Sequence, residues 1–370
     1  MRILSALLLV LTVAAPARAQ QSFYSHDNYT QYELLEPGSA QFAITYFLTE
    51  RRAGSVFVLN QTRSGSAGSD ISVFDPRTGK PLKFDYLSGE ELAKDGTPGR
   101  FDPAEHYIRA RLANPVPEGG EGRVKILKTY KDEKSYLVEG DDVVFKRSLG
   151  IARNSIVLPK GYRLVSSNVA AQMFTLPDGR LKISFEHAHG YAADVTIRGR
   201  KAAPLPPAPI HSEHSFDFTK VLYEFADGGV VKVTREIIVS APGPTAFVPN
   251  QMAASDVVVT DVDTGKTLEL KAGREGRIAQ LLEPIARADQ SARLRLTGTM
   301  KSRYDVADGQ FSWEARIDEP RAVFLLPPGF DLVSISVPAT VTTQQDGRVA
   351  LQIYAGAEGI VRVTVRAAKR

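Results

Sequence analysis

The chain has 370 residues, with 46 Lys and Arg against 42 Asp and Glu, and 0 cysteines. The absence of cysteine excludes disulfide scaffolds, thiolate zinc sites and thiol catalysis. The formal charge is +4, Arg2 and Arg18 supply two of those positives, and the rest are interleaved with acids. That pattern excludes a dense nucleic-acid-binding surface.

Residues 1–19 read as a secretory signal peptide. Arg2 gives a positive start, residues 3–13 form a short apolar run, and Ala17-Arg18-Ala19 gives the A-x-A pattern for cleavage after Ala19. The apolar run falls short of the about 20 residues that a membrane helix needs. No later stretch is apolar enough to span, so no membrane span is expected after cleavage. The expected location is periplasmic or extracellular.

Period-two alternation then dominates, as expected of strands with one face buried. Phe42, Ile44, Tyr46 and Leu48 share a face, as do Ile108, Ala110 and Leu112, and Leu181, Ile183 and Phe185. Val231 with Val233, Leu294 with Leu296, Val349-Leu351-Ile353 and Val361-Val363-Val365 follow. Trp313 shares its phase with Phe311 and Ala315 and reads as core, and the aromatics Tyr29, Tyr32, Tyr130, Tyr136 and Phe145 read mainly as core and cross-strand fillers. Asp178-Gly179 and Asp346-Gly347 mark hairpins, and residues 76–79 and 263–265 mark tight turns. Short helices are conceivable only at residues 89–94 and 277–286, the second interrupted by Pro284. Many short strands between frequent turns indicate an all-β fold of sandwich type.

An internal repeat organises the chain. Leu158-Pro159-Lys160-Gly161-Tyr162-Arg163-Leu164-Val165-Ser166 matches Leu326-Pro327-Pro328-Gly329-Phe330-Asp331-Leu332-Val333-Ser334, 168 positions later. At the same offset Asp178-Gly179-Arg180 meets Asp346-Gly347-Arg348, and Val195-Thr196-Ile197-Arg198 meets Val363-Thr364-Val365-Arg366. About a third of positions agree over this stretch, the self-similarity expected of duplication. Upstream, the turn ending at Gly79 matches the one ending at Gly265, 186 positions later. The first copy therefore carries an insertion of 186 − 168 = 18 residues, assigned to residues 88–105 and expected on a surface loop. Residues 202–210 are proline-rich and read as an extended linker. The expectation is two tandem β-sandwich-like domains, residues 20–201 and 211–370.

The candidate metal ligands are His187, His189, His211 and His214, which bracket the linker and could converge as an imidazole site. Their spacing matches no H-E-x-x-H motif. Asp261, Asp263 and Gly265 resemble the front of a calcium loop but lack the later glutamate, and a plain turn explains them. Residues 64–69 are serine-rich without a G-x-S-x-G elbow and read as a loop. Asp141 and Asp142 are adjacent, so on a strand they point to opposite faces and cannot flank one glycosidic bond. No catalytic residue and no cofactor is expected. These readings favour an exported, non-catalytic binding or assembly protein whose partner is a protein or polysaccharide of the envelope. The alternative is an envelope-polymer hydrolase with a metal-dependent site in the first copy.

Overall fold

A computed structural model describes residues 28–62, 67–187, 192–202, 220–249, 256–273, 276–287, 290–300, 304–317, 319, 321–354 and 360–370. The first copy opens with β1 (Tyr29–Leu34), β2 (Gln41–Glu50), β3 (Phe57–Gln61), β4 (Ala67–Phe74) and β5 (Phe84–Ser88). A one-turn helix, α1 (Gly89–Lys94), leads to β6 (His106–Arg111) and β7 (Gly122–Lys131). Its second half holds β8 (Tyr136–Glu139), β9 (Asp142–Leu149), β10 (Arg153–Val157), β11 (Tyr162–Ser167), β12 (Gln172–Thr175), β13 (Leu181–Glu186) and β14 (Ala193–Lys201). The second copy begins with β15 (Lys220–Ala226), β16 (Val230–Val239), β17 (Gly243–Pro249), β18 (Val258–Asp261), β19 (Leu270–Ala272), β20 (Gly276–Ile285) and β21 (Ala292–Thr299). It ends with β22 (Asp305–Ala307), β23 (Gln310–Ile317), β24 (Arg321–Leu325), β25 (Phe330–Ile335), β26 (Ala339–Thr343), β27 (Val349–Tyr354) and β28 (Val361–Lys369).

Strand for strand, the copies coincide. One seven-stranded sheet runs β12-β13-β10-β1-β2-β7-β4, and its counterpart runs β26-β27-β24-β15-β16-β21-β18. Smaller sheets β11-β14-β9-β8 and β3-β6-β5 answer to β25-β28-β23-β22 and β17-β20-β19. In each copy one parallel pair, β1 with β10 or β15 with β24, welds two halves into the large sheet, and the other described pairs are antiparallel. Each copy is therefore two small sandwiches sharing one long sheet, an all-β duplication. The stretch expected as a linker lies, beyond Ala202, outside the described residues.

Side-chain contacts repeat as well. Arg180 donates from Nη1 to Glu33 at 2.8 Å and from Nε to Asp178 at 2.7 Å. Arg348 makes the same pair of bonds to Glu224 at 2.6 Å and Asp346 at 2.7 Å. Tyr136 donates its hydroxyl to the carbonyl of Leu35, and Tyr304 to that of Ala226. A β-bulge falls at Val165 in one copy and at Val333 in the other.

Alternation built the cores. Phe42, Ile44, Phe145, Ile156, Ile183 and Ile197 are buried in the first copy, and Phe225, Phe311, Trp313, Phe324, Leu351 and Val365 in the second. Two readings are corrected. Of residues 277–286, considered for a helix, all but the last lie in strand β20, paired to both β17 and β19. In the serine-rich stretch read as a loop, β4 begins at Ala67 and Ser69 pairs with Thr129.

Parts of the outer faces of the two seven-stranded sheets are also buried. Strand residues alternate between faces, so Leu222, Val323, Leu325 and Ala350 lie opposite the core of the second copy, where they form their own cluster. On the first copy the outer face carries buried Tyr29, Ser155, Lys182, Ser184 and Glu186. An ion pair from Glu186 to Arg321 joins the two faces. The copies thus meet at the outer faces of the large sheets.

Candidate binding surfaces

The seam between the copies concentrates charge. Glu121, whose side chain is 2% exposed, receives Nη1 of Arg293 at 2.8 Å and Nη2 of Arg295 at 3.1 Å, and pairs with Arg51. Arg295 also bonds Glu236 at 2.7 Å. Its neighbours Glu236 and Glu121 hold the Arg295 guanidinium above its ordinary pKa against the opposing effect of burial. Removing one partner from such a cluster would leave buried charge uncompensated.

Beside this cluster the equivalent turns of the two copies abut. Asp75 accepts from the Arg77 amide at 2.9 Å and the Thr78 hydroxyl at 2.7 Å. Asp261 accepts from the amide and hydroxyl of Thr264 at 2.9 and 2.8 Å. Gly265 has φ +71°, and a Cβ there would sit 2.9 Å from the amide nitrogen of Gly120, so conformation and close approach both require glycine. Arg77 crosses the seam to Asp261 at 3.9 Å, and Arg287 donates to the carbonyl of Thr78 at 2.7 Å. Between the turns lies a cleft of about 280 Å³ lined by Asp75, Arg77, Glu121, Arg123 and Asp263. Desolvation raises the Asp263 pKa to about 6, with Asp261 adding to the rise and Arg293, Arg123 and Arg77 opposing it. The aspartates at the turns are engaged by turn amides, hydroxyls and arginines.

Of the candidate ligands, His187 has its Nε2 2.9 Å from the carbonyl oxygen of Ile151. His189, His211 and His214 lie outside the described residues. Among the described residues no group of three or more His, Asp and Glu side chains could hold a metal ion. Asp142, weighed for carbohydrate chemistry, is held by Arg200, at 2.6 Å through Nε, and by Arg198, which keep its pKa below the usual carboxylate value. Asn60 is buried and accepts from Lys128.

Lys128 is a buried cation in the core of the first copy. It is 4% exposed, donates to Asn60 Oδ1 at 2.7 Å, and lies 5.0 and 4.9 Å from the ring centres of Tyr46 and Tyr130. Burial, reinforced by Arg147, lowers its pKa to about 7. The registers Tyr32–Ile44–Lys128 and Tyr223–Val233–Gly298 place glycine at the equivalent point of the second copy.

The sequence reading missed a second kind of surface. Exposed apolar side chains recur in pairs, 168 positions apart: Val138 and Val306, Val165 and Val333, Met173 and Val341, each 46–63% exposed. The first pair lies on β8 and β22, the second on the bulges of β11 and β25, the third on β12 and β26. All are edge strands, each paired on one side among the described residues. An alternation pattern cannot reveal Val165 and Val333, because a bulge turns its extra residue outward without altering composition.

No protein-family profile and no curated protein matches the chain. Among solved structures it is similar to the serine-rich repeat adhesion glycoprotein Srr1 from Streptococcus agalactiae, at 10% identity, covering 78% of this chain and 92% of that one, with a TM-score of 0.18. A superposition that loose carries no argument about fold or function. Among the described residues no helix is long and apolar enough to cross a membrane.

Proposed function

We propose that this is an exported, non-catalytic binding or assembly protein of the cell envelope or extracellular space, with a protein partner engaged at the two equivalent sandwich edges. The observation that carries the reading is the repetition of exposed Val165 and Met173 as Val333 and Val341. A folded chain gains nothing from leaving valines in water, yet the same positions are left so in both copies. Edge strands offer unpaired backbone groups to an extended segment, and alternate side chains give such pairing its selectivity. Two linked edges raise avidity without any new contact. The export assignment rests on residues 1–19, which lie outside the described residues.

The test is crosslinking in the native envelope fraction with the full-length chain. Partner recovery should fall modestly for Val165→Lys or Val333→Lys alone, and by more than tenfold for the double variant. Equal recovery by wild type and the double variant would remove the edges from the account. A double variant no weaker than either single would remove the avidity argument.

A further inference from the structure

The two copies treat one surface differently. In each, the middle strand of the three-stranded sheet carries a buried alanine, Ala110 paired with Val58 and Phe84, or Ala279 paired with Ala246 and Leu270. The neighbouring residues therefore point outward, and by register Leu59, Asp85 and Arg109 correspond to Phe247, Lys271 and Ile278.

In the first copy that outer face is capped by the 18-residue insertion. Ser88 and Glu91 close a capping box that starts α1, and Leu92 of the helix is fully buried. Phe101 packs edge-on against Tyr107 with ring centres 5.4 Å apart. Arg109 reaches from the sheet to Asp95 and to Thr97 Oγ1 in the cap, the latter at 3.0 Å. A Cβ at Gly89 would collide with the carbonyl oxygen of Asp102, so the cap folds tightly on itself.

In the second copy β19 ends at Ala272 and β20 begins at Gly276, and among the described residues no helix stands between them. The face left behind carries Phe247 at 55%, Ile278 at 36% and Leu282 at 42% exposure. Phe247 lies over Gly276, whose Cβ would come within 2.9 Å of the ring. The charge at one position changes sign too: Lys271, 3.8 Å from Glu269, stands where the first copy has Asp85 paired with Arg109.

We infer that this bare face is a docking site for an acidic amphipathic segment of a protein partner, one that supplies in trans the leucine, aromatic and carboxylate that the cap supplies in cis. The first copy shows the kind of element that completes such a face. Lys271 in place of Asp85 selects a carboxylate over a cation. The cap itself fits that chemistry, with Glu90, Glu91, Asp95, Asp102 and Glu105 against Lys94 and Arg100. This site is separate from the sandwich edges and does not depend on them.

The probe is a synthetic peptide of residues 88–105, titrated into full-length protein carrying labelled isoleucine methyl groups. The Ile278 methyl should shift saturably while Ile44 and Ile156, in the core of the first copy, stay fixed. The peptide with Leu92→Asp should lose the effect, and one with Glu90, Glu91 and Asp95 as amides should bind about tenfold more weakly, the scale of one lost charge-assisted contact. Three results would overturn the inference: no movement of Ile278 at millimolar peptide, equal movement by the Leu92→Asp peptide, or a concentration-dependent shift of Ile278 without peptide. The last would make a second copy of the chain the occupant.

Discussion

Replacing Lys128 by methionine should remove a pH-dependent penalty from the fold. The lysine titrates at about 7 in the folded protein rather than at the ordinary 10.5. At about 1.4 kcal/mol per tenfold change in proton affinity, that difference amounts to about 5 kcal/mol. Its sign follows from proton counting. Between pH 7 and 10.5 the unfolded chain holds a proton that the folded chain has released, so stability rises with pH through that window. Below pH 7 both states are charged and the full penalty is present. Above 10.5 both are neutral and the penalty is gone. Urea unfolding of wild type and Lys128→Met, measured from pH 6 to 10, isolates the effect as a difference between the two curves. The wild type should gain on the variant by several kcal/mol across the range, with most of the change above pH 7. The loss of the bond to Asn60 costs the variant about 1–3 kcal/mol at every pH and does not alter the slope. A difference that stays flat from pH 7 to 10 would refute the reasoning, because it would mean the ammonium keeps its water or its charge inside the fold.

Glu121→Gln should destabilise the protein by about 3–5 kcal/mol, because Arg51, Arg293 and Arg295 lose their shared buried counter-charge. Differential scanning calorimetry should then resolve two transitions where the wild type shows one. Leu92→Ala should loosen the cap by about 2–5 kcal/mol, the usual range for emptying a buried leucine site. Trypsin cleavage at Lys94 and Arg100 should accelerate while the melting temperature changes little. Asp263→Asn should raise the melting temperature at pH 7.5 but not at pH 4.5. The raised acid binds its proton more tightly in the folded state, so its penalty grows as pH rises through 4–6 and stays above it.

The duplication was legible in the sequence because its signature, the nine residues starting at Leu158 and again at Leu326, is local and ungapped. The length of the insertion followed from two offsets, although its role did not. Residues 88–105 look like a polar loop, and a single buried leucine among glycines and acids gives no periodic signal. The misreading of residues 277–286 has a physical cause. Ile278 and Leu282 face outward on the bare sheet while Ala279 and Leu281 face the core, so both phases are apolar and the period of two disappears. The same happens at Ala322-Val323-Phe324-Leu325, where one face packs into the core and the other into the seam. Edge valines and the charged seam were out of reach, since both depend on which elements meet rather than on any one segment's pattern.

The parallel pairing of β1 with β10 also sets an order of events. Tyr29 faces Arg153 across that ladder, 124 positions away, and Val221 faces Ala322, 101 positions away. Neither long sheet can close until its tenth strand exists, and contacts so distant in sequence are slow to form. Until then each nascent copy holds only its first half, with β1 as an open edge. A chain whose completion is deferred this way spends a long interval with half-built sheets and no finished domain.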